Sequence, residues 1–535
     1  MYKNYYLRTV SLVLSILMVM LMTTACKKDK GGNESVAGNG ATINSNGTAD
    51  TSGDGFNFTH NNDVDNNIGI NNSDIDNPNV NSNSAGASIV NRTEVEGVAG
   101  SFKDVTLKES VRDLKGKKII FGAHYPQNYS ATGNSDAQRC YAALKAIEKD
   151  YNCKIEVVQF DGTANGAKEI ATAKASGNVL YNVIELLANT SNQILKTSGL
   201  AADLRKVSTV GVESNPWNPA FTLLSSYKSK VLGVGVRYDR LEQNILFFNK
   251  NLASKYQLGD FYEMVRTGKW TTENFISICE KFREKSGGNM YAVESMYPQT
   301  YLTLMYTNWT SPLAIANQNG KNSYIFNGTD SKILDVMSIC QDAVKKGLFN
   351  PQYEPSTVSN GIYKQAYSDY KRASNAFING KSLFFIGSNG DAVLPHIYTN
   401  SVDDYGIIPL PMGSSANNYS TVITNGLYYS LLDGNPDIEN DGAILTAIAN
   451  RTNIKVADIQ AHNKTLVRDS QSQVMLTQNY KFKQILNIEM SVGDISGIFY
   501  GAAVPSILAQ QSTPKQAMES ISNKMKTEIN RVYGQ

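Results

Sequence analysis

Lys117-Lys118-Ile119-Ile120-Phe121-Gly122-Ala123 is a short apolar run behind a basic start, and it reads as a buried strand. The elements after it decide the fold. Over 136–151, Ala142, Ala143, Leu144, Ala146 and Ile147 recur at helical spacing. Residues 153–160 alternate with period two, a second helix fits 166–176, and 181–187 reads as a third strand. Strand, helix, strand, helix, strand in that order predicts an α/β unit with a parallel sheet. Ligands of such sheets sit beyond the carboxyl ends of the strands, here the loops 125–128 and 189–191.

Further along, Gln243-Asn244-Ile245-Leu246-Phe247-Phe248-Asn249-Lys250 is another strand. Gly268-Lys269-Trp270-Thr271-Thr272-Glu273 opens a helix reaching about 285, with Thr271 or Thr272 as its cap and Glu273 at the positive end of the dipole. Residues 379–387 form a turn feeding a strand, and 404–411 are extended, with Pro409 and Pro411 keeping them off a central ladder position. A last helix starts near Pro514 and carries Ala517, Ile521, Met525 and Ile529 on one face.

Upstream, the chain begins with Lys3 and Arg8, a 13-residue run from Val10 to Met22 interrupted only by Ser11 and Ser15, and then Thr23-Thr24-Ala25-Cys26. A basic start, a short apolar stretch and small residues before a cut site describe a signal peptide over 1–25. The run is too short for the ~20 residues that span a bilayer. Cys26 after alanine resembles a bacterial lipoprotein signal, so acyl chains such as palmitate are expected on its thiol and would anchor the chain at the cell membrane. Sixteen asparagines between Asn33 and Asn91, with Arg92 the only lysine or arginine from 31 to 100, predict an unstructured tether over 26–112.

The 535 residues carry 50 lysines and arginines against 48 acids, and removing 1–25 takes Lys3 and Arg8 away, leaving 48 of each. Such a balance gives no basis for nucleic-acid binding. Four scattered histidines and cysteines without CxxC pairing argue against a metal site, and no cofactor is expected. Cys140 and Cys153 fit either a disulfide or buried thiols. No G-x-S-x-G, H-E-x-x-H or P-loop occurs, and Gly233 and Gly235 lack the third glycine of a dinucleotide site. No catalytic residue is assigned.

Taken together, Phe247-Phe248-Asn249-Lys250-Asn251-Leu252, Gly268-Lys269-Trp270-Thr271, Gly380-Lys381-Ser382 with Ile386-Gly387, and Tyr405-Gly406-Ile407 with Pro409-Leu410-Pro411-Met412-Gly413 resemble a known family. It is that of the extracellular solute-binding proteins of bacterial ABC importers, in the branch that includes maltose-binding protein. The resemblance covers roughly 115–535. Asn251 departs from the aspartate usual there, and the tryptophan-rich turn of maltose-binding protein is missing after Ile386. The resemblance implies the two-lobed periplasmic-binding-protein (Venus flytrap) fold, with crossings between lobes near 238–243 and 404–411. The expected boundaries are 113–240 for the first part of lobe 1, 241–406 for the first part of lobe 2, 407–475 for the return to lobe 1, and 476–535 for a C-terminal helical segment packing on lobe 2.

Aligned in motif order, the ligand residues implied are Tyr125 and Asn128 after the first strand, Asn189 and Thr190 after the third, and Tyr238 and Asp239 at the first crossing. Asn389 and Asp391 follow the glycine-led strand, and Tyr297 with the Phe499–Tyr500 pair would supply stacking aromatics. Each has a plainer alternative: the tyrosines can be ordinary packing residues, Asp391 a helix cap, and helical neighbours Phe499 and Tyr500 cannot both face one way. The function implied is delivery of a carbohydrate, an oligosaccharide rather than one ring, by a monomeric extracytoplasmic receptor to the permease subunits of an ABC importer. A recognition lipoprotein serving a sensor would use the same cleft, and a lipid-anchored glycoside-active enzyme is the remaining alternative.

Overall fold

The computed structural model describes residues 88–90, 109–133, 135–162, 164–187, 199–212, 217, 222, 225–227, 230–236, 242–296, 298–318, 321–351, 370–389, 393–452, 464–465, 467–479, 482–486 and 493–533. Its α/β architecture starts with β1 (Lys117–Ala123), α1 (Ser135–Asp150), β2 (Cys153–Gln159), α2 (Ala164–Ala175) and β3 (Val183–Leu187). Next come β4 (Glu242–Asn249), α3 (Thr272–Lys285), β5 (Val293–Ser295), α4 (Ser331–Lys345) and β6 (Phe384–Ser388). The chain continues with β7 (Tyr405–Ile408), β8 (Ser420–Asn425), β9 (Leu427–Ser430), α5 (Ile438–Thr452), α6 (Ser470–Asn479), β10 (Lys483–Leu486) and α7 (Pro514–Tyr533).

Two sheets organise these elements. In the first the order is β9-β3-β1-β2, with β1 parallel to β2 from Lys117 opposite Cys153 to Ala123 opposite Gln159. Strand β9 closes it antiparallel to β3. In the second the order is β10-β8-β4-β6-β5, and β7 also pairs with β4. Alternation along β4 divides the second core. Leu246 and Phe248 pack with Trp270, Phe275, Phe384 and Ile408, while Ile245 and Phe247 pack with Phe377, Phe385, Tyr405 and Ile407.

Local chemistry accounts for the motifs. Asn249 ends β4 and caps the next helix by accepting from Leu252 N at 2.8 Å. Lys250 pairs with Asp404 at 3.1 Å and Asp469 at 2.8 Å. Asn251, the departure from the family pattern, donates its amide to Asp403 Oδ1 at 3.0 Å; a carboxylate there would face a carboxylate. Thr271 caps α3. Gly406 lies in β7 where a Cβ would overlap the Phe248 ring and the Tyr262 hydroxyl.

The second crossing lies further along than 404–411. β7 and β8 both pair with β4, and the chain first reaches the other sheet at β9, from Leu427. Pro409 and Pro411 end β7 without taking the chain out of its sheet. In the stretch expected to be an unstructured tether, Ser88–Val90 forms a strand antiparallel to Leu313–Gln318, which is itself hairpinned to Lys321–Phe326. Two β-branched apolar residues there interrupt the Asn/Ser/Gly composition. Glu109 already holds Arg451 at 2.7 Å, and Leu114 N bonds Tyr151 O at 2.8 Å. The C-terminal α7 buries Ala517, Ile521, Met525 and Ile529 and packs on Lys321–Phe326 and α4.

Cys140, Cys153, Cys279 and Cys340 are buried thiols, and no disulfide joins Cys140 to Cys153. Burial pushes Cys153 up to about 11 and Cys340 up to about 12, which suppresses the reactive thiolate. Among the described residues no helix is long and apolar enough to cross a membrane, and no cluster of His, Cys, Asp and Glu is arranged to hold a metal ion.

Candidate functional site

The carboxyl end of β1 lies beside the start of β3, with Phe121 opposite Val183 and Gly122 opposite Ile184, and an α/β sheet places its ligand beyond such carboxyl ends. Beyond Ala123 the chain turns through His124 and Tyr125 into a short 3-10 turn, Pro126–Tyr129. Pro126 suits the first position, where its missing N–H costs nothing. Tyr125 is 37% exposed, an aromatic plate edge-on to His124 at 4.5 Å. Asn128 is partly exposed, and its N–H closes the turn on Tyr125 O at 2.9 Å. Both residues expected after the first strand therefore stand on one turn beyond the carboxyl end of β1.

Beneath that turn lies Glu185, 0% exposed, in the middle of β3. Its carboxylate accepts the Tyr129 hydroxyl and, at 3.4 Å, the Tyr125 N–H. The Tyr129 hydroxyl is 3.3 Å from that of Tyr429, which sits opposite Glu185 across the strands. A fully buried acid must have such partners. Burial holds His124 below its ordinary range, partly opposed by the Glu185 charge, so a neutral imidazole borders Tyr125 at neutral pH.

At the second sheet, Asn389 follows the end of β6 and is partly exposed. Its Oδ1 accepts the Gln243 N–H at 2.8 Å, and its own N–H donates to Gln243 O at 3.0 Å. It thus pins the start of β4 to the end of β6. Asn244 donates to Gly387 O at 3.1 Å. Phe499 is fully buried in the core, whereas its neighbour Tyr500 is partly exposed, its hydroxyl 3.2 Å from that of Tyr306. Both stand at the start of a π-helical turn, Phe499–Ala503. Asn189, Thr190, Tyr238, Asp239, Tyr297, Asp391 and Cys26 lie outside the described residues.

The part Glu185, Tyr129 and Tyr429 play beneath this turn was not legible in the sequence, although an acid inside the run Val183-Ile184-Glu185-Leu186-Leu187 is a signal of a buried polar role.

Two helix-flanked sheets, with polar and aromatic residues just beyond the ends of β1 and β6, are the architecture of a two-lobed solute-binding protein. The model of the bacterial extracellular solute-binding protein family matches residues 134–450, and the chain belongs to that family. Solved structures share its fold. UgpB from Mycobacterium tuberculosis in complex with glycerophosphocholine is 14% identical, with a TM-score of 0.52 over 78% of this chain and 99% of that one. The cyclic alpha-maltosyl-1,6-maltose binding protein from Arthrobacter globiformis is 11% identical, with a TM-score of 0.54 over 78% of this chain and 100% of that one. No curated protein matches the sequence.

Proposed function

We propose that the chain is an extracytoplasmic, lipid-anchored receptor that delivers a carbohydrate, an oligosaccharide in preference to a single ring, to an ABC importer. Family membership supports solute binding. The observation that carries the choice of ligand is the turn bearing exposed Tyr125 and partly exposed Asn128 with the Glu185 carboxylate directly behind it. An aromatic plate suits the apolar face of a sugar, and amides and hydroxyls suit its rim. The glycerophosphocholine of the mycobacterial relative carries a phosphodiester; a carboxylate behind the turn disfavours that anion and leaves a neutral polyhydroxyl ligand, as in the Arthrobacter relative. Asn389 and Tyr500 supply the second lobe's share, and closure of the lobes brings the two sets together.

A thermal-shift screen of mono- and oligosaccharides against glycerophosphodiesters tests this reading. An oligosaccharide is expected to raise the melting temperature saturably without being consumed, following RT ln(1 + [L]/Kd). Tyr125→Ala is then expected to weaken that ligand about tenfold, since stacking contributes on the order of 1 kcal/mol beyond area burial. Product formation, or a response confined to the phosphodiesters, overturns it.

The anchor has its own test. In a bacterial host the full chain should partition with membranes, and Cys26→Ser should release it into the soluble extracytoplasmic fraction. Equal membrane retention of the two forms removes the lipid from the account.

A further inference from the structure

Gln243 and Asn479 are 0% and 1% exposed, and they meet across 236 residues of chain where Asn479 Nδ2 donates to Gln243 Oε1 at 3.2 Å. That one bond leaves Gln243 Nε2 and Asn479 Oδ1 buried without a partner. Rotating both amides by half a turn keeps the bond and again leaves one donor and one acceptor, so the deficit does not depend on how the amides are assigned. Buried polar atoms are rarely left so, because each costs its desolvation.

We propose that this amide pair is a built site for one hydroxyl-bearing guest, which accepts from Gln243 and donates to Asn479. The requirement to accept and donate at once, from a single atom in a gap between two side chains, is met by a hydroxyl. A cation, a carboxylate or a methyl group satisfies one side at most. In the ligand-free chain the guest is an internal water. The surroundings give the site a purpose. Gln243 is the second residue of β4, bonded through its backbone to Asn389 at the mouth of the second sheet. Asn479 ends α6, and its carbonyl accepts the Thr421 hydroxyl from β8. A guest between them ties α6 to the strand that leaves the crossing. The same position can be taken by a ligand hydroxyl, and that source alone rests on the sugar-binding reading.

Gln243→Met with Asn479→Leu, in the full chain, removes the unpaired donor and acceptor while keeping shape. With the guest present, the double variant loses all its bonds and is expected to melt about 2–4 °C below the parent. A dry site predicts the reverse, because deleting two unpaired polar groups relieves their desolvation; a double variant melting at or above the parent overturns the proposal. A crystal structure of the sugar-free parent gives a second measure: density for one water bonded to both amides supports the site, and an empty gap overturns it, whether or not the variants fold. Titration with maltotetraose separates the sources. Equal affinity of parent and double variant, or no binding by the parent, assigns the guest to water. An affinity loss of about tenfold or more assigns the site to a ligand hydroxyl.

Discussion

Trp270→Ala is expected to lower the unfolding free energy by about 3–5 kcal/mol, the range for emptying a tryptophan-sized space in a packed core. The residue is 0% exposed, with Phe261, Phe275 and Phe384 around its ring at centroid distances of 5.6, 5.7 and 5.8 Å. Its indole N–H donates to Pro409 O at 3.0 Å, and its own carbonyl accepts Met412 N at 3.0 Å. Trp270 therefore joins the entry of α3 to the segment leaving β7, two motifs 139 residues apart. Loss of the indole also strips Pro409 O of this donor, a penalty of about 1–3 kcal/mol where water does not replace it. Trp270→Phe keeps most of the ring volume and should cost distinctly less. The measurement is chemical denaturation followed by circular dichroism. An alanine variant within about 1 kcal/mol of the parent would mean that the cavity collapses or that this region does not unfold with the rest.

That motif was legible because its determinants are local. Thr271 caps α3 from its own side chain, and Ala517, Ile521, Met525 and Ile529 mark the buried face of α7 by spacing alone. The strands of the first sheet were legible for the same reason, with period and turn residues agreeing over each few residues. The return crossing was not. The prolines after β7 carry a strand-ending signal, but which sheet receives the next strand depends on partners far away, here Gln243 opposite Ile423 and Glu185 opposite Tyr429. The candidate site residues divide in the same way. Tyr125 and Asn128 follow from their place after β1, whereas the amides of Gln243 and Asn479 come together only through packing. Phe499 and Tyr500 show the limit of helical spacing: neighbours take different directions, and which one is buried depends on the elements packed against them.

Glu185→Gln is expected to act on stability and on the turn that carries Tyr125 together. The carboxylate is buried and accepts the Tyr129 hydroxyl and the Tyr125 N–H. Hydrogen bonds to a charged group contribute about 1.5–3 kcal/mol each. Glutamine offers one acceptor oxygen and turns an NH2 group toward the second donor, so a loss of that size is expected. Tyr129→Phe removes the hydroxyl from the other side and also frees Tyr429 of its neighbour at 3.3 Å. The two changes share one contact, so the double variant should cost less than the sum of the singles by about 0.5–3 kcal/mol. The functional readout is separate. Amide hydrogen exchange over 124–130 should quicken in Glu185→Gln at positions whose backbone bonds close the turn, Asn128 N on Tyr125 O among them. Ligand dissociation should quicken with it, because the Tyr125 plate no longer rests on a fixed backbone. A merely structural acid would lower the melting temperature and leave exchange in the turn and the off-rate at their parent values. Strict additivity of the two substitutions would show instead that Glu185 and Tyr129 contribute independently, and the turn would then owe its geometry to Pro126 and its own hydrogen bonds.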